Sequence, residues 1–162
     1  EGVKRRFTKV GVVSEVAIYD DYAHHPVEIE ATLKAARLVT PKRLVAVVQP
    51  HRYTRVRDFF DAFVTALSHA DQIFVAPIYS AGESAIDGIS SEHLVAALQA
   101  RGMQASIFQG IDDLPARLDD YLSTGDTIVC MGAGTVTQWA YALPDMLSAT
   151  RWKQSHVPST AA

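Results

Sequence analysis

Leu44-Val45-Ala46-Val47-Val48-Gln49-Pro50-His51-Arg52-Tyr53-Thr54-Arg55 is the stretch that decides the fold. Leu44 to Val48 is apolar without interruption. A strand with one wet face would alternate, so an unbroken run marks a strand covered on both sides, as in a parallel sheet. The run stops in a polar loop. Thr54 then stands as a helix N-cap before a pattern that places Phe59, Phe60, Phe63, Val64 and Leu67 on one helical face. Strand, polar loop and helix in that order begin a βαβ unit.

The same alternation extends in both directions. Upstream, Val10 to Val13 and Val16 to Tyr19 are β-rich runs parted by Ser14-Glu15, which reads as a hairpin. Pro26 opens a helix whose buried face carries Ile29, Leu33 and Ala36. Downstream, Ile73 to Ala76 is a second buried strand, and Ser90 or Ser91 caps a helix with Leu94, Val95 and Leu98 that ends at Gly102. Ala105 to Phe108 is a weaker strand, Ile111, Leu114, Leu118 and Leu122 give a helical face, and Thr127 to Met131 is a further buried strand. The last helix carries Val136, Trp139 and Leu143, and Pro144 should bend or end it. The pattern predicts an α/β fold: a mostly parallel sheet flanked by helices, with an N-terminal β-hairpin. Residues 1–150 are expected to form one domain, and 151–162, small, polar and Pro-containing, a flexible tail.

Composition narrows the function classes. A net charge of -3 lacks the broad basic excess of a nucleic-acid binder but leaves room for a small anion held by a few arginines. The single cysteine, Cys130, lies inside an apolar run and reads as a buried core thiol, so no intrachain disulfide forms. No apolar run is long enough to cross a bilayer and no signal peptide is present, so a cytoplasmic protein without membrane contact is expected.

Right-handed crossovers place the C-terminal ends of parallel strands on one edge, where ligands of such sheets bind. Polar, aromatic and glycine residues gather there: Asp20 to Pro26 after the hairpin, Gln49 to Arg55, Pro77 to Glu83, and Gly132-Ala133-Gly134-Thr135. His51, Arg52 and Arg55 suit a carboxylate or phosphate. A lone arginine more often pairs with a surface carboxylate, but Arg52, just past a buried strand and beside His51, reads as functional. His24 and His25 are adjacent and point apart, so they do not share a metal. One caps the following helix and the other faces the cleft, with His25 read as structural. Asp20 and Asp21 suit a ribose hydroxyl, a metal, or a turn cap. The Gly-Ala-Gly turn lacks the third glycine of a dinucleotide fingerprint, Thr137 standing in its place, and no phosphate-loop motif occurs. Close packing is the stronger reading of that turn. A dinucleotide oxidoreductase is disfavoured, and a non-catalytic module binding a small anion stays open.

Three loops, Asp20-Asp21-Tyr22-Ala23-His24-His25-Pro26-Val27-Glu28, Gln49 to Asp58, and Tyr79-Ser80-Ala81-Gly82-Glu83, together resemble the Mur ligases. Gly2 to Phe7 and Gly132-Ala133-Gly134 are similar to further stretches of that family. The resemblance implies a Rossmann-like C-terminal domain that closes over a site built by two others, one binding the UDP-sugar and one carrying the ATP phosphate loop and most magnesium ligands. The opening at Glu1 without an initiator Met fits such a domain piece. The implied reaction, in peptidoglycan precursor synthesis, uses ATP and Mg to activate UDP-N-acetylmuramate as an acyl phosphate, which L-alanine then attacks. It also implies roles. His24 and Arg52 are the catalytic residues. Tyr22, His24, His51, Arg52 and Arg55 bind substrate, and Asp21 and Tyr22 contact the nucleotide. No metal ligand is assigned to this chain. Ala23 stands where the family often has Gly, and a small residue suffices there if its φ is negative. The murein tripeptide ligases share the double-histidine loop, but His51-Arg52-Tyr53-Thr54-Arg55 is more similar to the alanine-adding members.

Overall fold

The computed structural model describes residues 5–149. The tail expected to be flexible, residues 151–162, and the Gly2-Val3-Lys4 stretch lie outside the described residues. Strands β1 (Thr8–Val13) and β2 (Val16–Asp21) form the expected hairpin. Its turn residues Ser14 and Glu15 take φ of 45° and 64°, the left-handed pair a two-residue hairpin turn requires. With β3 (Leu44–Val48), β4 (Gln72–Val75), β5 (Gln104–Ile107) and β6 (Thr127–Met131) they make one sheet in the order β1-β2-β6-β3-β4-β5. Every pairing except that of the hairpin is parallel.

Helices α1 (Pro26–Val39), α2 (Tyr53–Asp58), α3 (Phe60–Leu67), α4 (Ser91–Ala100), α5 (Leu114–Asp119) and α6 (Val136–Ser148) cover both faces. Alternate residues of β3 divide between two cores. Leu44, Ala46 and Val48 pack with Ile29, Leu33, Phe63, Leu67, Leu94 and Leu98. Val45 and Val47 pack with Leu114, Leu118, Leu143, Leu147 and the buried Cys130. Both faces being dry is why the strand reads as an unbroken apolar run. No helix among the described residues is long and apolar enough to cross a membrane.

Local chemistry explains the element ends. His25 caps α1: its side chain accepts from Val27 N–H at 3.4 Å, and Glu28 accepts from His25 N–H at 3.1 Å, a reciprocal capping box. Ser90, rather than Ser91, caps α4, while Ser91 Oγ turns inward to donate to the carbonyl of Ala76. Gly102 takes φ 79° just beyond α4, as a C′ glycine should.

Four expectations need correction. Asp20 and Asp21 belong to β2, not to the loop after it. They pair in register with Cys130 and Met131, and satisfied polar partners let their carboxylates be buried. The single helix expected after Thr54 is two helices, broken at Phe59 (φ -123°, ψ 27°). Thr54 caps neither, because its hydroxyl donates to Glu83. Of the three phenylalanines expected in the core, Phe63 is fully buried and Phe60 packs against the core. Phe59, 41% exposed, instead meets the His25 ring edge-on at 4.6 Å. Finally, of the two expectations for Pro144, bending or ending α6, the second is not met, because the helix runs on to Ser148. An interior proline costs about 3 kcal/mol, which burying Leu143 and Leu147 beside it offsets at roughly 1.5–3 kcal/mol each.

The Pro144 ring lies against Gly11 of β1, where a Cβ would stand 2.6 Å from Pro144 Cγ. Gly11→Ala is therefore expected to lower the unfolding free energy by about 1–3 kcal/mol, read from urea denaturation. An unchanged midpoint would mean that α6 slides off β1 without cost.

Candidate functional site

β6 lies between β2 and β3, so their ends are neighbours: Met131 pairs with Asp21 on one side and Val48 on the other. The chain reverses direction across the sheet here, with β4 and β5 on one side of β3 and β6 on the other. The crevice at such a point is filled from within. Gln49, 5% exposed, donates through Nε2 to Thr135 Oγ1 at 2.8 Å and accepts the Val136 N–H at 3.1 Å. It thereby caps α6, which no side chain of its own N-cap residue does. Gly132 and Gly134 are close-packed around this amide. A Cβ on Gly132 would meet the Gln49 carbonyl at 2.9 Å, and one on Gly134 would meet Gln49 Oε1 at 2.6 Å and the Tyr79 ring at 2.8 Å. The turn is thus a packing device, as its missing third glycine suggested, and the Val136 N–H is already bonded rather than free for phosphate.

The side chains above this plug form a ladder of rings. Arg5 sits over Tyr22 at 5.1 Å, Tyr22 meets His24 at 4.9 Å, His24 meets His51 at 5.7 Å, and His51 stacks on Tyr79 at 5.4 Å and 12°. The ladder draws on the loops after β2, β3 and β4. Three predicted residues, Tyr22, His24 and His51, are brought together here. Arg55 joins them by donating to His51 Nδ1 and to the His51 carbonyl, each at 3.1 Å. A guanidinium only donates, so His51 Nδ1 accepts and its proton sits on Nε2. His24 is the reverse: its Nδ1 donates to the Tyr22 carbonyl at 2.8 Å, which leaves Nε2 free.

Arg52 departs from the cluster centre. Its guanidinium is about half exposed and lies 4.0 Å from Glu83. Its backbone takes φ 71°, ψ 131°, a region that costs a residue other than glycine on the order of 1–3 kcal/mol. The Arg52 N–H donates to the Tyr79 carbonyl at 2.8 Å, and the Tyr79 N–H to the Pro50 carbonyl at 2.8 Å, so two loops hold that conformation.

Asp21 is 7% exposed, and its oxygens accept the N–H groups of Phe7 and Ala23 at 2.8 Å each. Each oxygen keeps a second lone pair. Ala23 is absent from the residues of positive φ, so its Cβ carries no strain. Asp21 lines a cleft of about 310 Å³ with Arg6, Glu28, Ala31 and Thr32. Carboxylates, a hydroxyl and a guanidinium suit sugar hydroxyls better than a phosphate chain. Among the described residues no group of three or more His, Cys, Asp or Glu converges as a metal site.

Electrostatics distinguish the ionisable groups. Burial first, then the charges of Arg55, His24 and Arg52, push His51 below the ordinary histidine value, with Glu83 opposing. Hydrogen bonds from the Thr54 hydroxyl and N–H, then Arg52 and Arg55, hold Glu83 below the usual carboxylate range against its partial burial. Burial pushes the Cys130 thiol far up, so it is inert. Tyr79, Glu83 and Gln49 were not singled out individually from the sequence. All three lie in the loops at the predicted edge, but nothing in their spacing names their partners.

Residues 5–134 match the family described as Mur ligase, glutamate ligase domain, and the chain belongs to that family. It is 52% identical over 147 residues to a UDP-N-acetylmuramate--L-alanine ligase of Azorhizobium caulinodans, covering 90% of this chain and 32% of that protein. It also matches the structure of a UDP-N-acetylmuramate-alanine ligase from Thermotoga maritima, with a TM-score of 0.67 at 25% identity over 95% of this chain and 31% of that one. A murein peptide ligase from Psychrobacter arcticus shares the fold, with a TM-score of 0.75 at 24% identity over 92% of this chain and 31% of that one. The chain spans about a third of the length of these relatives.

His51 has a lowered pKa in the folded chain, so between that value and about 6.5 the unfolded chain binds more protons. Its contribution therefore costs stability as pH falls through that window and vanishes above it. NMR titration should place the His51 midpoint below about 6.5 and Arg55→Gln should raise it. An unmoved midpoint in the variant would remove Arg55 and leave burial with the charges of His24 and Arg52 as the causes.

Proposed function

We propose that this chain is the C-terminal domain of an ATP-dependent ligase that joins L-alanine to UDP-N-acetylmuramate in peptidoglycan precursor synthesis. The observation that carries the reading is 52% identity, over nine-tenths of the chain, to a ligase of that name. The fold alone does not separate this activity from that of the murein peptide ligase, whose structure matches with the higher TM-score, 0.75 against 0.67. The sequence similarity and the loop His51-Arg52-Tyr53-Thr54-Arg55 favour L-alanine over a tripeptide.

In this reaction ATP transfers its terminal phosphoryl group to the muramoyl carboxylate, giving an acyl phosphate and ADP. The amine of L-alanine attacks the acyl carbon, and the tetrahedral intermediate expels inorganic phosphate. The residues of this chain would act on the incoming amine and on developing charge. Arg52 and Arg55 offer guanidinium groups to the alanine carboxylate or the phosphate. His24 donates from Nδ1 to the Tyr22 carbonyl, which leaves Nε2 as the ring atom placed to take the proton of the attacking amine. His51, kept neutral and protonated at Nε2, is a donor for the oxyanion. Tyr22 frames the small amino acid and, with Asp21, contacts the nucleotide ribose and base. Magnesium and the ATP phosphates would be held mostly by parts of the enzyme outside this chain.

Reattached to the rest of its enzyme, the domain should support L-alanine-dependent phosphate release with ATP, magnesium and UDP-N-acetylmuramate. Arg52→Ala should cut that rate by about tenfold or more. Unaffected turnover in the variant would remove Arg52 from the site. Turnover with the tripeptide in place of L-alanine would reassign the amine substrate, and no turnover with either would leave a small-anion binding module. The 162-residue chain by itself is expected to be inactive, so product above a mock preparation would contradict this division of labour.

A further inference from the structure

The N-terminus of α2 is capped from another loop. Its N-cap residue, Arg52, makes no side-chain cap bond. The work falls to Glu83, which follows β4. Its carboxylate accepts the Thr54 N–H at 3.1 Å and the Thr54 hydroxyl at 2.7 Å, and it stands 4.0 Å from the Arg52 guanidinium. Glu83 reaches that place through a tight turn: its N–H donates to the Ser80 carbonyl at 3.0 Å while Ala81 and Gly82 take φ of 51° and 85°. Two consecutive left-handed residues, one of them not glycine, are strained backbone that persists only where other contacts hold it. The same loop stacks Tyr79 on His51 and bonds the Arg52 N–H. Glu83 therefore closes a clamp around the segment carrying His51, Arg52 and Arg55, and it is the carboxylate that faces their positive charge.

We propose that Glu83 is a positioning residue: it fixes the start of α2, and through it His51, Arg52 and Arg55, in the arrangement that receives the anionic end of the amine substrate. The substrate half of this statement rests on the ligase reading above; the clamp half does not. A negative charge at a helix N-terminus is favourable, and here the same charge restrains an arginine that would otherwise swing in solvent. Glutamine would keep an oxygen to accept from Thr54 but would lose the charge opposite Arg52, so it should restore the backbone more fully than the guanidinium.

The test uses the full-length enzyme carrying this domain, with Glu83→Ala and Glu83→Gln. Hydrogen exchange of the segment 51–58 should accelerate by about tenfold in Glu83→Ala, with Leu44–Val48 unchanged, and Glu83→Gln should return it close to wild type. The KM for L-alanine should rise about tenfold in Glu83→Ala, while the KM values for ATP and UDP-N-acetylmuramate stay within about twofold; Glu83→Gln should lie between. Unchanged exchange at 51–58 overturns the proposal, as does loosened exchange with an unchanged alanine KM. Faster exchange that includes Leu44–Val48 also overturns it, because Glu83 would then serve only global stability. If wild type shows no L-alanine-dependent turnover, the alanine reading falls, and exchange at 51–58 alone decides the clamp.

Discussion

The last strand among the described residues, β6, hydrogen-bonds to β2 along one side and to β3 along the other. Everything at the site follows from that insertion. It sets the loop after the hairpin beside the loop after β3, although 27 residues, α1 and β3 among them, separate Asp21 from Gln49. It also brings the Gly132-Ala133-Gly134 turn under both loops, where only glycine leaves room for Gln49 and Tyr79. Parallel pairing requires both faces to be covered, and the two apolar cores supply that cover. The result is a closely packed floor with the polar and aromatic side chains of the loops above it.

The plug formed by Gln49 has a functional corollary. In many sheets of this kind the crevice where strand order reverses receives a ligand. Here an amide side chain of the protein occupies it and caps α6. The ring ladder from Tyr22 through His24 and His51 to Tyr79 lies above it. That surface carries donors and a neutral imidazole rather than a phosphate cradle. It suits a partner that supplies the phosphates from elsewhere, which agrees with a chain spanning a third of its relatives' length.

Charge is distributed to keep the site usable. Arg52, Arg55 and His51 crowd together, and protonating His51 there would add a third positive charge in a partly buried place. Burial and the arginines hold it neutral instead. Arg52 does not form a tight bidentate pair with Glu83; at 4.0 Å the two are close enough to restrain each other and loose enough for Arg52 to take another anion. By contrast, Arg43 at the opposite end of the sheet is spent on structure, bonded to buried Asp126 at 2.8 Å and stacked over Tyr121 at 3.9 Å.

The sequence by itself determined the α/β class, the hairpin, the edge on which the loops gather and the packing role of the glycine turn. These follow from local rules: buried parallel strands must be apolar throughout, and helices announce themselves by period and caps. That one of His24 and His25 caps α1 was legible in the sequence, and the structure shows the capping residue to be His25. The break at Phe59, the passage of α6 through Pro144, the burial of Asp20 and Asp21, and the pairing of Glu83 with Thr54 were decided only by the tertiary structure. Several turn on partners distant in the chain: the core that Leu143 and Leu147 join for α6, Phe7 for Asp21, a loop 29 residues away for Thr54. A polar residue's letter states what bonds it can make. Which bond it makes depends on what the fold brings within about 3 Å, and spacing along one chain does not contain that distance.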